Sequence, residues 1–353
     1  MQRVFYGVQG TGNGHITRAR VMAKALKAAG FEVDFMFTGR PFDKYFDMAV
    51  FGEYQLKTGC TFSTRQGQVS YLNTLLQAQP RQWLKDIRAL DLRDYDVVIS
   101  DFEPVTAWAA RNQGKPVLGI GHQYAFQYPI PRGGQDPLAE WILRNFAPVT
   151  TGIGLHWHHF GQPILPPIIE IQPEPELFRP NKIVVYLPFE DTRAVISQLA
   201  IFEHFEFHLY APQPVPSEYP HIVCKGLSRE GFQADLHDCA GIISNAGFEL
   251  ASEALLWGKK ILLKPLHRQM EQLANAAAIQ QLDYGHTMHD LNPTAIGNWL
   301  QETHALQISY PCVAEILVQW LLDGQPVLEP AWFEQIWRRI EVRRIERAGL
   351  LPI

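Results

Sequence analysis

Apolar residues in the first half of the chain fall in short runs, with longer stretches of helical spacing between them. Val4 to Val8 is an almost unbroken apolar run, the pattern of a strand buried on both faces. Thr17 to Ala29 then follows helical periodicity, with Ile16, Ala19, Ala23 and Leu26 on one face and Gly30 as the C-cap. Phe31 to Phe37 predicts the next strand, and Tyr71 to Leu90 a helix interrupted at Pro80. Tyr95 to Ser100 predicts a strand ending at Asp101. Pro104 opens another helix at a position that tolerates proline, and Pro116 to Ile120 is a strand ending at His122. Between Gly161 and Pro180 the pattern breaks into a proline-rich connector (Pro163, Pro166, Pro167, Pro173, Pro175, Pro180). The alternation then restarts with Lys182 to Leu187 as strand, Thr192 to Ala200 as helix and Phe205 to Tyr210 as strand. The expected fold class is therefore α/β, with two doubly wound parallel-sheet domains at 1–162 and 181–328 joined by 163–180. The end of the chain, 329–353, includes a predicted helix from Ala331 to Ala348.

The most chemically informative segment is Cys239 to Glu253. It reads as an apolar strand ending in Ser244-Asn245, a turn through Ala246-Gly247, and a helix from Phe248 to Trp257. A helix N-terminus offers unpaired N–H groups and a positive dipole end, which suits a diphosphate. Glu253, one to two turns in, can accept hydrogen bonds from sugar hydroxyls. A further strand, Lys260 to Leu263, leads through Pro265 into a loop carrying His267, Arg268, Gln269, Glu271 and Gln272, all able to grip hydroxyls. Together these elements describe a nucleotide-sugar site.

In the first half, Gly7, Gly10, Gly12 and Gly14 crowd the loop after the first strand, so its backbone must approach something closely. A dinucleotide fingerprint fails here. Its third position is His15, and the second strand ends in Phe37-Thr38-Gly39 without an acidic residue. A histidine at the mouth of the following helix is disfavoured from protonating by the dipole, and a neutral imidazole can take a proton from an attacking hydroxyl. The plainer reading has His15 only capping the helix.

Composition narrows the function classes. The chain has 353 residues, 46% apolar and 19% charged, with a net charge of −5. That suits two soluble domains of roughly 150–180 residues and gives nucleic-acid binding no electrostatic support. Cys60, Cys224, Cys239 and Cys312 show no paired spacing, and read as reduced thiols of a cytoplasmic protein. The start runs straight into a strand without a signal peptide, and no apolar run reaches the ~18–20 residues of a membrane span.

These motifs resemble the two-domain GT-B glycosyltransferases, on the branch of the lipid-linked N-acetylglucosaminyltransferase of peptidoglycan synthesis and the UDP-glycosyltransferases. The Gly12-Asn13-Gly14-His15-x-x-Arg18 start resembles a bacterial and archaeal subfamily of that branch. The resemblance implies two Rossmann-like domains facing across a cleft, and inverting transfer from a nucleotide-diphosphate sugar, with UDP as the expected nucleotide. The acceptor would be a glycan, a lipid-linked compound or a small molecule, and no cofactor or tightly held metal is implied. His15 would be the general base. Gly12, Asn13 and Gly14 would line the cleft under the sugar, and Ser244, Asn245, Ala246, Gly247, Phe248 and Glu249 would hold the diphosphate. Glu253 would bond the ribose, Gln269, Glu271 and Gln272 would bond the sugar, and Phe232 would lie near the base. The last helix would cross back onto the N-terminal domain. Two positions depart from relatives: Leu187-Pro-Phe-Glu-Asp191 replaces a glycine-rich phosphate turn, and Asn245 replaces a histidine.

Other residues leave alternatives open. Asp101 would orient His15 or cap the helix beginning near Pro104. Glu103, like Asp101, is a candidate to orient His15 or contact the acceptor, and Arg18 and His122 are candidate acceptor contacts, with helix packing and core burial as the plainer roles of the last two. In His156-Trp-His158-His159, His156 and His158 would share a face on a strand and could meet one ion, but no third ligand is evident. Arg339, Arg343 and Arg347 form a basic stripe if helical, which fits a solvated face or peripheral contact with an anionic membrane. On the same scaffold, a nucleotide-sugar hydrolase or epimerase, or a binding protein without turnover, are the competing functions.

Overall fold

The computed structural model describes residues 2–59, 64–65, 68–69, 80–134, 136–171 and 177–346. The N-terminal half contains β1 (Arg3–Gln9), α1 (Asn13–Ala28), β2 (Glu32–Thr38), β3 (Tyr54–Lys57) and a small antiparallel pair, β4 (Thr64–Arg65) with β5 (Gln68–Val69). It continues through α2 (Pro80–Ala89), β6 (Val97–Asp101), α3 (Pro104–Asn112), β7 (Leu118–Gly121), α4 (Pro137–Asn145), β8 (Thr151–Leu155) and β9 (Ile164–Leu165). The other half contains β10 (Lys182–Tyr186), α5 (Thr192–Leu199), β11 (Glu206–Tyr210), β12 (Ile222–Lys225), α6 (Arg229–Asp238), β13 (Gly241–Asn245) and α7 (Phe248–Leu256). After these come β14 (Lys260–Lys264), α8 (Met270–Gln281), β15 (His286–Thr287), α9 (Pro293–Leu300), β16 (His304–Ser309), α10 (Val313–Leu322), α11 (Pro330–Trp337) and β17 (Glu341–Glu346).

Two parallel sheets result. The seven-stranded one runs β3-β2-β1-β6-β7-β8-β9, the six-stranded one β12-β11-β10-β13-β14-β15. Each half thus folds as the doubly wound sheet expected from the alternation of apolar runs. Strand order reverses between β1 and β6 and again between β10 and β13, and ligands of such sheets bind beyond the carboxyl ends at those reversals. The four chain segments leaving these strands are the glycine loop, Asp101, the Leu187–Asp191 turn and the Asn245–Gly247 turn.

The two halves share a core. Val4, Ile16 and Ala19 of the first pack in one apolar cluster with Ile242, Phe248 and Ala251 of the second. Polar contacts cross the same boundary. Trp157 Nε1 donates to Ser252 Oγ at 2.8 Å, and Arg229 pairs with Asp47 at 2.7 Å.

The terminal helix is shorter than its periodicity predicts. α11 ends at Trp337, whose indole donates to the Ile164 carbonyl at 2.6 Å, and the chain then forms β17 antiparallel to β16. Pairing with the open edge of β16 supplies ladder hydrogen bonds that a helix over the same residues could not, and tertiary context overrides local helix propensity. The basic stripe therefore does not form. Arg343 and Arg344 point to opposite faces of a strand, Arg344 toward Asp283, and Arg347 lies outside the described residues. The predicted helix at 71–90 is present over Pro80–Ala89; its first part also lies outside them. Among the described residues, no helix is long and apolar enough to cross a membrane.

Candidate active site

The loop after β1 is tied down at Gly10, whose N–H donates to the Thr38 carbonyl at 2.6 Å, and a Cβ on Gly10 would stand 2.3 Å from the Tyr45 hydroxyl. Gly12 then caps α1 without a side-chain hydrogen bond, leaving the first N–H groups of the helix without a side-chain acceptor. His15 sits in the first turn, its side chain 15% exposed at the cleft. Its Nδ1 lies 2.7 Å from Asp101 Oδ1 and 3.0 Å from Arg18 Nη2. Arg18 Nη2 itself donates to Asp101 Oδ1 at 2.6 Å. A guanidinium has no acceptor to offer, so the consistent arrangement has His15 Nδ1–H and Arg18 Nη2–H both donating to Oδ1. Nε2 is then the unprotonated nitrogen, and it is the one available to the cleft.

Asp101 is fully buried, and Arg18 Nε grips its second oxygen at 2.9 Å, completing a bidentate pair. Burial raises the carboxyl's pKa, but Arg18, His15 and their hydrogen bonds outweigh it and hold Asp101 below its usual value. Arg18 Nη1 reaches across the domain boundary to Glu249 Oε1. One guanidinium therefore serves two carboxylates. Burial, helped by Asp101 and Glu253, pushes Glu249 up to about 8 against the pull of Arg18. Glu249 Oε2 is buried without a hydrogen-bond partner, and the residue lines the cavity described below. The capping alternative for Asp101 is not realised. Glu103 is the cap of α3, accepting from Val105 N at 2.8 Å and Thr106 N at 2.6 Å. Glu103 also bonds Thr38 and is fully buried off the cavity, so capping occupies the group that was a candidate acceptor contact.

On the opposing face, α7 begins at Gly247, again with no side-chain cap. By contrast α3, α4, α5, α6, α8 and α9 all carry one. α10 and α11 also start without one, at Cys312 and Glu329, but among the described α-helices α1 and α7 are the two with glycine at the cap, and they face each other here. Below α7, Ser244 Oγ and Asn245 Oδ1 are buried without partners, while Asn245 Nδ2 donates to the Lys264 carbonyl at 3.0 Å. Ala246 is fully buried, and its carbonyl accepts from Asn275 Nδ2 at 2.9 Å. Glu253 accepts from Gln233 Nε2 at 3.0 Å, and burial pushes it up to about 7. Phe232 packs edge-on against Tyr186 and Tyr210. Asn13 faces the same side, accepting from Arg40 Nη1 at 3.0 Å and bonding Tyr186.

Between these faces lies a cavity of about 300 Å³. Gly12, Gly14, His15, Arg18, His122, Phe248, Glu249, Gln269, Glu271 and Gln272 border it; Asn13, Phe232, Ser244, Asn245, Ala246, Gly247 and Glu253 do not. Gln269 caps α8 through Gln272 N, and Gln272 Oε1 accepts from Leu266 N at 3.0 Å. His122 is 1% exposed, stacked on Phe248 at 4.1 Å with Nε2 2.7 Å from Asn275 Oδ1. Burial holds it below its usual value, so it is chiefly a neutral interdomain packing residue.

The sequence reading missed the apolar wall of the cavity: Phe102, Ile142, Leu143, Phe146, Phe189 and Met270. Asp136-Pro137 before Leu138, Ala139, Ile142 and Leu143 is a legible helix start with an apolar stripe, and it marks α4. Phe102 has a φ of 52°, a strained conformation for a bulky side chain, held beside Asp101 where the chain turns into α3. Phe189 comes from the turn that departs from the glycine-rich pattern, and its neighbour Glu190 pairs with Lys264 at 2.6 Å.

The histidine run does not lie on a strand. β8 stops at Leu155, and His156, His158 and His159 turn inward locally, accepting through Nδ1 from Trp157 N, Phe160 N and Gly161 N. Among the described residues, no group of three His, Cys, Asp or Glu side chains could hold a metal ion.

Two parallel sheets whose reversal points meet across one cavity define the GT-B class of glycosyltransferase fold. The family model for glycosyl transferase family 1 matches residues 2–303, and the chain belongs to that family. Comparison with curated proteins finds no match. Among solved structures, LpCGTa in complex with UDP is 14% identical, over 96% of this chain and 99% of that one, with a TM-score of 0.60. Arabidopsis thaliana UGT89C1 complexed with UDP is 11% identical over 96% and 99%, with a TM-score of 0.56. The glycosyltransferase SnogD from Streptomyces nogalater is 15% identical over the same shares, with a TM-score of 0.55. At these identities the likeness concerns the fold.

Proposed function

We propose that this glycosyltransferase is inverting and metal-independent, that its donor is a UDP-linked sugar, and that His15 is its general base. The observation that carries the reading is the His15–Asp101 pair at the cavity, opposite the uncapped start of α7. The acceptor hydroxyl gives its proton to His15 Nε2 while its oxygen attacks the anomeric carbon from the face opposite the leaving group. The bond from that carbon to the diphosphate breaks, and the electron pair leaves on the diphosphate oxygen. Asp101 stabilises the imidazolium, and the N–H groups and dipole of α7 receive the developing negative charge without a metal. The UDP carried by two similarly folded enzymes supports that donor. The Gly12 to Arg18 motif supports placing the chain with the UDP-glycosyltransferases and the lipid-linked N-acetylglucosaminyltransferase.

Hydrolysis on the same scaffold needs space only for a water beside the donor. The cavity carries an apolar wall of Phe102, Ile142, Leu143 and Phe146, which a water nucleophile does not need and an acceptor can pack against, and this favours transfer. The test is a screen of UDP, GDP, CMP and dTDP sugars for thermal stabilisation and nucleotide release, with wild type and His15→Ala. Release only on addition of an acceptor extract, falling ~10²–10⁴-fold in the variant, supports the reading. Release without acceptor moves it to hydrolysis, and no response to any donor removes it.

A further inference from the structure

We propose that Arg18 is a positioning residue that makes the alignment of His15 conditional on closure of the two domains. The inference rests on the reading of His15 as base and concerns how that site is regulated. Arg18 is long and flexible, yet it is 2% exposed and engaged through all three nitrogens, Nε and Nη2 to Asp101 and Nη1 to Glu249. Asp101 and His15 belong to the first domain, whereas Glu249 is in the first turn of α7 in the second. The guanidinium is planar, so fixing one end on Glu249 fixes the plane in which the other end meets Asp101. Asp101 Oδ1 is the atom that receives both Arg18 and His15.

When the domains part, Glu249 withdraws and Nη1 faces the cleft without a partner. The arginine then gains freedom to turn toward water, and the oxygen holding His15 loses its second anchor. Gly14 belongs to the same device. A Cβ there would stand 2.7 Å from Glu249 Cγ, so only glycine lets the carboxylate approach Arg18 this closely. An open enzyme would thus hold a poorly oriented base, and alignment would come only with the closed cleft that excludes bulk water.

The test reads the His15 Nδ1 proton directly, as a downfield imidazole resonance in ligand-free protein and its exchange rate with water. Glu249→Leu keeps bulk but cannot accept from Arg18, and exchange is expected to rise about tenfold, the loss of roughly one charge-assisted hydrogen bond. Glu249→Gln retains an acceptor oxygen and should restore the wild-type rate. Arg20→Lys, a buried arginine of the same helix bonded to the Phe46 and Asp47 carbonyls, should leave the resonance unchanged. A Glu249→Leu protein with the wild-type exchange rate overturns the proposal. If that variant does not fold, Arg18→Lys carries the same test, because a lysine cannot grip both carboxylates. UDP affinity, measured by calorimetry on the same samples, tests the transferase reading separately. Absence of UDP binding with an intact His15 response would remove that reading and leave the coupling standing.

Discussion

Replacing Gly14 by alanine should separate the folding of the first domain from the assembly of the cleft. Gly14 lies in the first turn of α1, where alanine is favoured over glycine by less than the ~1 kcal/mol of a helix interior. In the closed arrangement the added methyl would lie 2.7 Å from Glu249 Cγ and 3.4 Å from its Cβ. Those atoms cannot swing aside freely, because the carboxylate beyond them is held by Arg18. Overpacking of this kind costs ~1–3 kcal/mol. The gain applies to open and closed states alike and the penalty only to the closed one, so closure weakens by about 5- to 150-fold. Gly12→Ala is the matched control: its Cβ meets nothing within 4 Å, and its φ of −116° is ordinary for alanine. Small-angle scattering should show an expanded Gly14→Ala protein with a near-native melting temperature, and a Gly12→Ala protein like wild type. Nucleotide release with an acceptor extract should fall for Gly14→Ala in the same proportion. A Gly14→Ala protein with the wild-type scattering profile and turnover would refute both the contact and its link to catalysis.

Three further outcomes follow from named contacts. Glu249 is raised from an ordinary 4.5 to about 8, so the folded state holds a proton that the unfolded state has lost between those values. Its contribution is fully present below pH ~4.5 and disappears as pH rises through about 8, and urea titrations should show Glu249→Gln flattening the decline of stability with pH over that window. Trp157→Phe keeps a ring against Phe248 but loses the bond to Ser252, whose hydroxyl still donates to the Phe248 carbonyl at 2.7 Å, so it should cost ~1 kcal/mol in urea unfolding. Asp235 accepts from Lys182, Lys225 and the Tyr210 hydroxyl, while Lys182 keeps Asp238 and Lys225 is about a third exposed, so Asp235→Asn should lose ~1.5–3 kcal/mol, the worth of a charge-assisted hydrogen bond; no measurable loss would contradict that account.

The parts of the site legible in the sequence are those carried by local chemistry. Strand ends, glycine turns and a histidine at a helix mouth recur at fixed short offsets, so the glycine loop with His15 and the Asn245 to Glu249 turn could be found without knowing how the halves meet. Asp101 could be placed at a strand end facing the cleft, but capping and orienting roles stayed equal until the position of Glu103 decided them. What remained illegible depends on contacts far apart in the chain. Arg18 and Glu249 are 231 residues apart, and no periodicity announces that one guanidinium will join them. His122 reads from its strand end as a cleft residue and does border the cavity, but its stack on Phe248 of the other domain had no local signal. The terminal segment fails for the same reason in reverse. Its arginines repeat at helical intervals, but the vacant edge of β16 decides its conformation. The cavity's apolar wall lies between these extremes, because α4 was readable from Asp136-Pro137 and its stripe, whereas its place over His15 was not.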